Sequence, residues 1–202
     1  MNTILALETS TVRGSVALLR GPEVLFEREF VADRSHNSLL FEPLEAALAT
    51  AIPSLIVVGT GPGSYSGVRV GLAAGIGLSL GKQIPLIGWP SLCAAEIPLR
   101  CQVVGDARRG AFFLAEMENG KLLAGPDLLS LEELNRRMKP PAFTFDEAPF
   151  PLSGAEKTIP SARLLARAVA QLTDAELSEA SASIPEPIYL RAPFTTTPRQ
   201  GR

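Results

Sequence analysis

Apolar and polar positions alternate along the first thirty residues in a way that predicts strands. Ile4 to Leu7 is an apolar run, Ser15 to Leu19 a second, and Val24 to Phe30 a third that alternates. Glu8-Thr9-Ser10-Thr11-Val12-Arg13-Gly14 forms the turn of the first hairpin, lined with hydroxyls and one acid, and Gly21-Pro22 breaks the chain after the second strand. Ser35 is a candidate N-cap for a helix to about Thr50, with Leu40, Leu44, Leu48 and Ala51 on one stripe. A buried strand (Ile56, Val57, Val58) follows, then a turn of small residues from Gly59 to Gly67, then a helix over Val68 to Lys82.

That helix has almost no solvent face. Between Val68 and Leu80 its only polar side chains are Arg69 and Ser79, and a helix apolar all round must be covered on every side. The run is well short of the ~20 residues that a membrane span needs. Gly71, Gly75, Gly77 and Gly81 lie inside it, each costing ~1 kcal/mol relative to alanine, so close approach of another backbone must offset them. Packing on the chain's own sheet accounts for one face. A chain of 202 residues has little material to bury a second, which points to a partner's helix.

Beyond the helix, Pro85-Leu86-Ile87 reads as a short strand and Trp89-Pro90-Ser91 as the start of a short helix through Glu96, and Pro98 closes the unit. The pattern then restarts. Cys101 to Gly105 and Ala111 to Met117 are strands around the turn Asp106-Ala107-Arg108-Arg109-Gly110. Glu8 and Asp106 each close a strand and open a turn that ends in Arg-Gly, a weak internal duplication. Lys121 to Ala124 is a further strand, Ser130 to Met138 a helix capped by Ser130, Phe143 to Phe145 an edge strand, and Ser161 to Leu172 an amphipathic helix with Leu164, Leu165, Ala168, Val169 and Leu172 inward. Prolines between Lys139 and Pro160 forbid a long helix there. The expected division is a lobe over residues 1–98, a smaller lobe over 99–175 and an extended tail over 176–202. Within the tail, Pro187-Ile188-Tyr189-Leu190-Arg191 is expected to dock, while the residues beyond Pro193 stay mobile.

Composition narrows the chemistry. Hydrophobic residues make up 46% of the chain, enough to fold without disulfides, and the net charge of −2 argues against a free-standing nucleic-acid binder. Cys93 and Cys101 sit among apolar residues and read as buried thiols in a reducing compartment; with no basic, apolar leader in MNTILALETS, the cytoplasm is the expected location. His36 is the only histidine, so a two-histidine zinc site lacks its ligands and any nucleophile–histidine pair would have to use His36. No lysine follows the glycine turn as a phosphate loop requires, and Ser66 stands where a dinucleotide motif needs glycine. A strand, glycine turn and helix N-terminus still make an anion site available, although a turn serving close packing accounts for the same residues. Glu8 and Asp106 as paired carboxylates across a cleft would hold a metal–nucleotide complex; as solvent-facing turn residues they would do nothing.

The segments ILALETSTVRGSVALL, HNSLL, GTGPGSYSGVRVGLAAGIGLSLGKQIPLIGWPSL, GDARRGAFFLAEM and PEPIYLR together resemble the TsaB (YeaZ) family, the GPGSYSGVR block being the most specific. The resemblance implies an α/β fold of two actin-like, ribonuclease-H-like lobes with mixed sheets. It also implies a non-catalytic subunit that pairs with a catalytic paralogue, TsaD, and an ATPase, TsaE, to make threonylcarbamoyladenosine next to the anticodon of tRNA. On that basis Val68, Arg69, Gly71, Leu72, Gly75, Ile76, Leu78 and Ser79 are expected to meet the partner, and tRNA to be reached only through the complex. The same helix could pair with its own copy when the partner is absent. A vestigial nucleotide or anion site would use Glu8, Thr9, Ser10, Gly63, Ser64 and Asp106, where position 8 is glutamate and the family usually has aspartate. No metal or cofactor is expected on the chain alone, with ATP shared within the complex. A stand-alone actin-fold ATPase or kinase and a glycoprotease are the alternatives, the latter opposed by the missing second histidine.

Overall fold

The computed structural model describes residues 2–31, 39–146 and 153–191. Ser35, His36 and the residues after Pro193 therefore lie outside the described residues. Two five-stranded sheets carry the fold. In the first, β1 (Thr3–Glu8), β2 (Arg13–Arg20), β3 (Glu23–Val31), β4 (Leu55–Gly59) and β5 (Leu86–Trp89) are ordered β3-β2-β1-β4-β5. In the second, β6 (Arg100–Asp106), β7 (Ala111–Glu118), β8 (Lys121–Ser130), β9 (Ala142–Thr144) and β10 (Ala155–Lys157) are ordered β8-β7-β6-β9-β10. Strand for strand the orders are the same. Each sheet opens with two antiparallel pairings and closes with two parallel ones. The duplication read from Glu8 and Asp106 thus extends over both sheets.

Sheet one is covered on both faces, which is why β1 is buried throughout and its centre, Ile4 to Leu7, is apolar rather than alternating. Leu5, Leu7, Val16, Leu18, Ile56 and Val58 face helices α1 (Phe41–Thr50) and α2 (Tyr65–Lys82). Ile4, Ala6, Ala17, Leu19, Leu55, Val57 and Ile87 face helix α4 (Ala162–Val169), which buries Ala162, Leu165, Ala166 and Val169 there. Helix α4 belongs to the first lobe in space, although its place in the chain puts it in the second. Its first turn is tied to β2 by the amide of Ala162, which donates to Ser15 Oγ at 2.8 Å. Between the sheets, Leu92 and Cys93 of a short 3-10 turn (Ser91–Cys93) pack with Cys101, Val103, Phe113, Ala115 and Met117.

Several elements differ from the sequence reading. The short helix expected through Glu96 is only that 3-10 turn, because Ser91 is pinned: its hydroxyl accepts from the amide of Gly61 (3.0 Å) and its own amide donates to Gly61 O (2.9 Å). Strand β8 runs on through Pro126 to Ser130; as the outermost strand it has no second neighbour for that proline to deprive. The strand around Phe143 is internal, since β10, three residues with two charges and no alternation, takes the edge. Residues 174–181 form helix α5 (Asp174–Ser181), not extended chain, with a capping box in which Thr173 and Glu176 each accept from the other's backbone amide. Ser130 and Glu133 make the same box for α3 (Leu131–Arg137), as its N-cap predicts.

Candidate functional site

Helix α2 starts three residues earlier than its apolar run, because Ser64 caps it: Ser64 Oγ accepts from the amide of Gly67 at 3.2 Å. The turn before it is pressed onto the β1–β2 turn. The amide of Ser64 donates to Ser10 O (2.6 Å) and Thr9 Oγ1 donates to Gly67 O (2.8 Å). These hydroxyls, carbonyls and amides spend their hydrogen bonds joining the two turns. Thr9 Oγ1 and the backbones of Ser10 and Ser64 are thereby engaged in holding the two turns together.

Close approach decides which face of α2 is inner. A Cβ on Gly71 would collide with Thr9 Oγ1, and one on Gly75 would lie 2.5 Å from Val58 Cγ2. Val68 and Leu72 are buried beside them. Four of the eight residues expected to meet a partner, Val68, Gly71, Leu72 and Gly75, are thus inside the chain's own core. The stripe Gly67-Gly71-Gly75 continues from the turn that sits on Thr9, so it has to face inward. Leu78 packs partly into the same core, Ser79 Oγ donates to Ile84 O (2.7 Å), Ile76 is half-buried and Arg69 is exposed. The outward row is the other four-residue series, Arg69, Ala73 and Gly77, with Leu80 77% exposed; nothing lies within 4 Å of a Cβ placed on Gly77 or Gly81. At its N-terminal end Tyr65 lies between the Arg69 guanidinium, 4.6 Å from its ring centre, and Tyr189, with 5.8 Å between ring centres.

The two duplicated acids do the same local job in opposite surroundings. Glu8 Oε1 accepts from the amide of Ser10, and Asp106 Oδ1 from the amide of Arg108, both at 2.7 Å and both two residues on. Glu8 is wholly buried, and neither its Oε2 nor Ser10 Oγ has a hydrogen-bond partner. Burial raises its pKa; the nearby hydroxyls of Ser10 and Ser91 work against that rise without reaching hydrogen-bond geometry with Oε2. Asp106 is open to solvent, pairs with Arg108 at 3.4 Å, and donates its amide to Asp146 Oδ2 (2.7 Å). Burial also raises the pKa of Asp146, with the Asp106 charge adding to it. Glu8 and Asp106 thus stand in unlike surroundings, the first wholly buried and the second exposed. Gly63 sits against Ser10 O rather than around an open cradle. Among the described residues no group of three or more His, Cys, Asp or Glu side chains could hold a metal ion, and no helix is long and apolar enough to cross a membrane.

Asp146 and the pairing of Tyr65 with Tyr189 were missed from the sequence, although the segment around Tyr189 was expected to dock. Asp146 sits in a proline-rich stretch with no motif around it, whereas Tyr65 and Tyr189 belong to two of the segments that carry the family resemblance, GPGSYSG and PEPIYLR.

A doubled five-stranded sheet of this order, with the glycine turn at the head of a two-faced helix, defines an α/β protein of the actin-like, ribonuclease-H-like type. The family model described as "TsaD: tRNA N6-adenosine threonylcarbamoyltransferase" matches residues 30–147. The chain is 33% identical over 132 residues to the tRNA threonylcarbamoyladenosine biosynthesis protein TsaB of Escherichia coli K12, covering 58% of this chain and 57% of that protein. It is 38% identical over 97 residues to the TsaB of Haemophilus influenzae, covering 46% and 41%. A crystal structure from Pseudomonas aeruginosa, of a protein with similarity to peptidase YEAZ, superposes with a TM-score of 0.73 at 23% identity, over 95% of this chain and all of the other. The chain belongs to the TsaB (YeaZ) family. It spans less than two thirds of the length of these curated relatives.

Proposed function

We propose that this chain is a non-catalytic subunit in the formation of threonylcarbamoyladenosine on tRNA, and that it works by docking a TsaD-type catalytic paralogue, with a TsaE-type ATPase joining the pair. The names of its relatives supply the pathway. The observation that carries the docking role is the outer face of α2, where Ala73, Gly77 and Gly81 leave the helix backbone bare beside an exposed Leu80. Interior glycines with nothing against them stabilise nothing in the monomer, and they suit a helix packed at short range. The contact row on this reading is Tyr65, Arg69, Ala73, Ile76, Gly77 and Leu80.

ATP then belongs to the assembled complex and not to this chain, tRNA is reached through the complex, and the setting is the cytoplasm. Self-pairing through the same face is the state expected when no partner is present. Reconstitution tests the proposal. The chain is mixed with the separately purified TsaD-type and TsaE-type proteins of its host, unmodified tRNA, ATP and an activated threonylcarbamoyl donor, and the tRNA is analysed for threonylcarbamoyladenosine by mass spectrometry. Modification should require this chain and should not occur with it alone. Full modification in its absence would overturn the role. So would turnover of ATP by the isolated chain that is lost in Asp106→Ala, the stand-alone ATPase alternative.

A further inference from the structure

Residues 185–191 have no regular secondary structure, yet in seven residues they bind both lobes. Pro185 sits in a notch over β5, where a Cβ on Gly88 would come within 2.5 Å of Pro185 Cβ and 2.7 Å of Thr60 Cγ2. The amide of Ile188 donates to Thr60 O at 2.8 Å, just past the end of β4. Tyr189 packs on Tyr65 in the first turn of α2. Leu190 then turns into the core of the second lobe, beside the cluster of Cys101, Val103 and Phe113, and Arg191 Nη2 donates to Arg108 O at 3.2 Å. That last contact lands on an unusual turn. Arg108, Arg109 and Gly110 are all left-handed, with φ of 65°, 56° and 71°. Two consecutive non-glycine residues in this region persist only where their surroundings over-determine them. Asp106 Oδ1 from within the turn and Arg191 from the tail are two of the groups that do so.

We infer that residues 185–191 are an interlobe strap that couples the Asp106–Gly110 turn of the second lobe to the N-terminal turn of α2 in the first. A molecule seated on the Arg108–Arg109 turn would then be felt at Tyr65 and Arg69, and a protein seated on α2 would be felt at the turn, with equal coupling free energy in both directions. The link is a property of the isolated chain and needs no partner.

The test uses three single substitutions in the full chain, read by hydrogen–deuterium exchange. Tyr189→Ala removes a contact made only to α2, and Arg191→Ala one made only to the turn at Arg108. Gly88→Ala crowds both Pro185 and Thr60, so its effect at 106–111 is the one that reports on the strap. For a strap, each variant speeds exchange roughly 5-fold or more at both 60–69 and 106–111, the lower end of ordinary intersite coupling. Protection of β1, β4, β6 and β7 stays at the wild-type level. If Tyr189→Ala loosens only 60–69 and Arg191→Ala only 106–111, or if neither region responds, there is no coupling and the inference falls. Loss of protection in the sheets would make the segment core rather than strap, and would overturn it equally.

Discussion

Alanine at Gly77 and alanine at Gly71 are chemically the same change on one helix, and the two should move stability in opposite directions. At Gly77 the added methyl meets nothing within 4 Å, so what remains is the helix-propensity gain of ~1 kcal/mol. In a chain of this size that raises Tm by about 2–4 °C. At Gly71 the same gain is opposed by overpacking of ~1–3 kcal/mol, because Thr9 Oγ1 stands in the way. Thr9 cannot swing aside freely. Its hydroxyl holds Gly67 O at 2.8 Å, and breaking that bond costs a further ~1 kcal/mol. Gly71→Ala is therefore destabilised by about 1–3 kcal/mol net. Urea unfolding of both variants, at a protein concentration where the chain is monomeric, measures the difference directly. A lower stability for Gly77→Ala would mean that the outer face of α2 is already covered in the monomer; equal effects at the two sites would mean that neither face is as assigned.

Two further outcomes follow from buried polar groups. Burial raises the pKa of Glu8 above its usual 4.5, so the folded state holds that proton to higher pH than the unfolded chain does. The stabilisation is complete below the usual carboxylate range and is lost as pH rises through the raised value; Glu8→Gln should flatten this fall in a series of urea midpoints from mildly acid to mildly alkaline pH, and an unchanged slope would show that Glu8 is not its source. Ser15→Ala leaves the buried amide of Ala162 without its acceptor, which should cost ~1–3 kcal/mol and free the first turn of α4, visible as faster exchange at 162–165; normal protection there would show the bond to be dispensable.

The elements that could be read from the sequence are those whose own residues force them. The apolar runs of β1 and β4, the inward Leu165 and Val169 of α4 and the cap at Ser130 each carry their signal locally, and so does the repeat of an acid followed by Arg-Gly. What could not be read depends on distant partners. That Gly71 faces inward and Gly77 outward is set by Thr9, more than fifty residues away, and both glycines look alike in the chain. The opposite burial of Glu8 and Asp106 comes from what covers each turn: Ser91 and Gly59 lie against the first, solvent against the second. Helix α5 was legible in Thr173 and Glu176 but was hidden by the prolines that follow it.

The docking role of α2 rests on its outer face, and one titration tests it most directly. Gly77→Leu places a bulky side chain on the bare row while leaving the core contacts of Gly71 and Gly75 intact, so calorimetric titration with the host's TsaD-type paralogue should show binding weakened roughly 5- to 150-fold, the equivalent of ~1–3 kcal/mol. Its melting temperature should be no lower than that of the wild type. Wild-type affinity in a folded Gly77→Leu chain would place the partner on another surface and contradict the assignment.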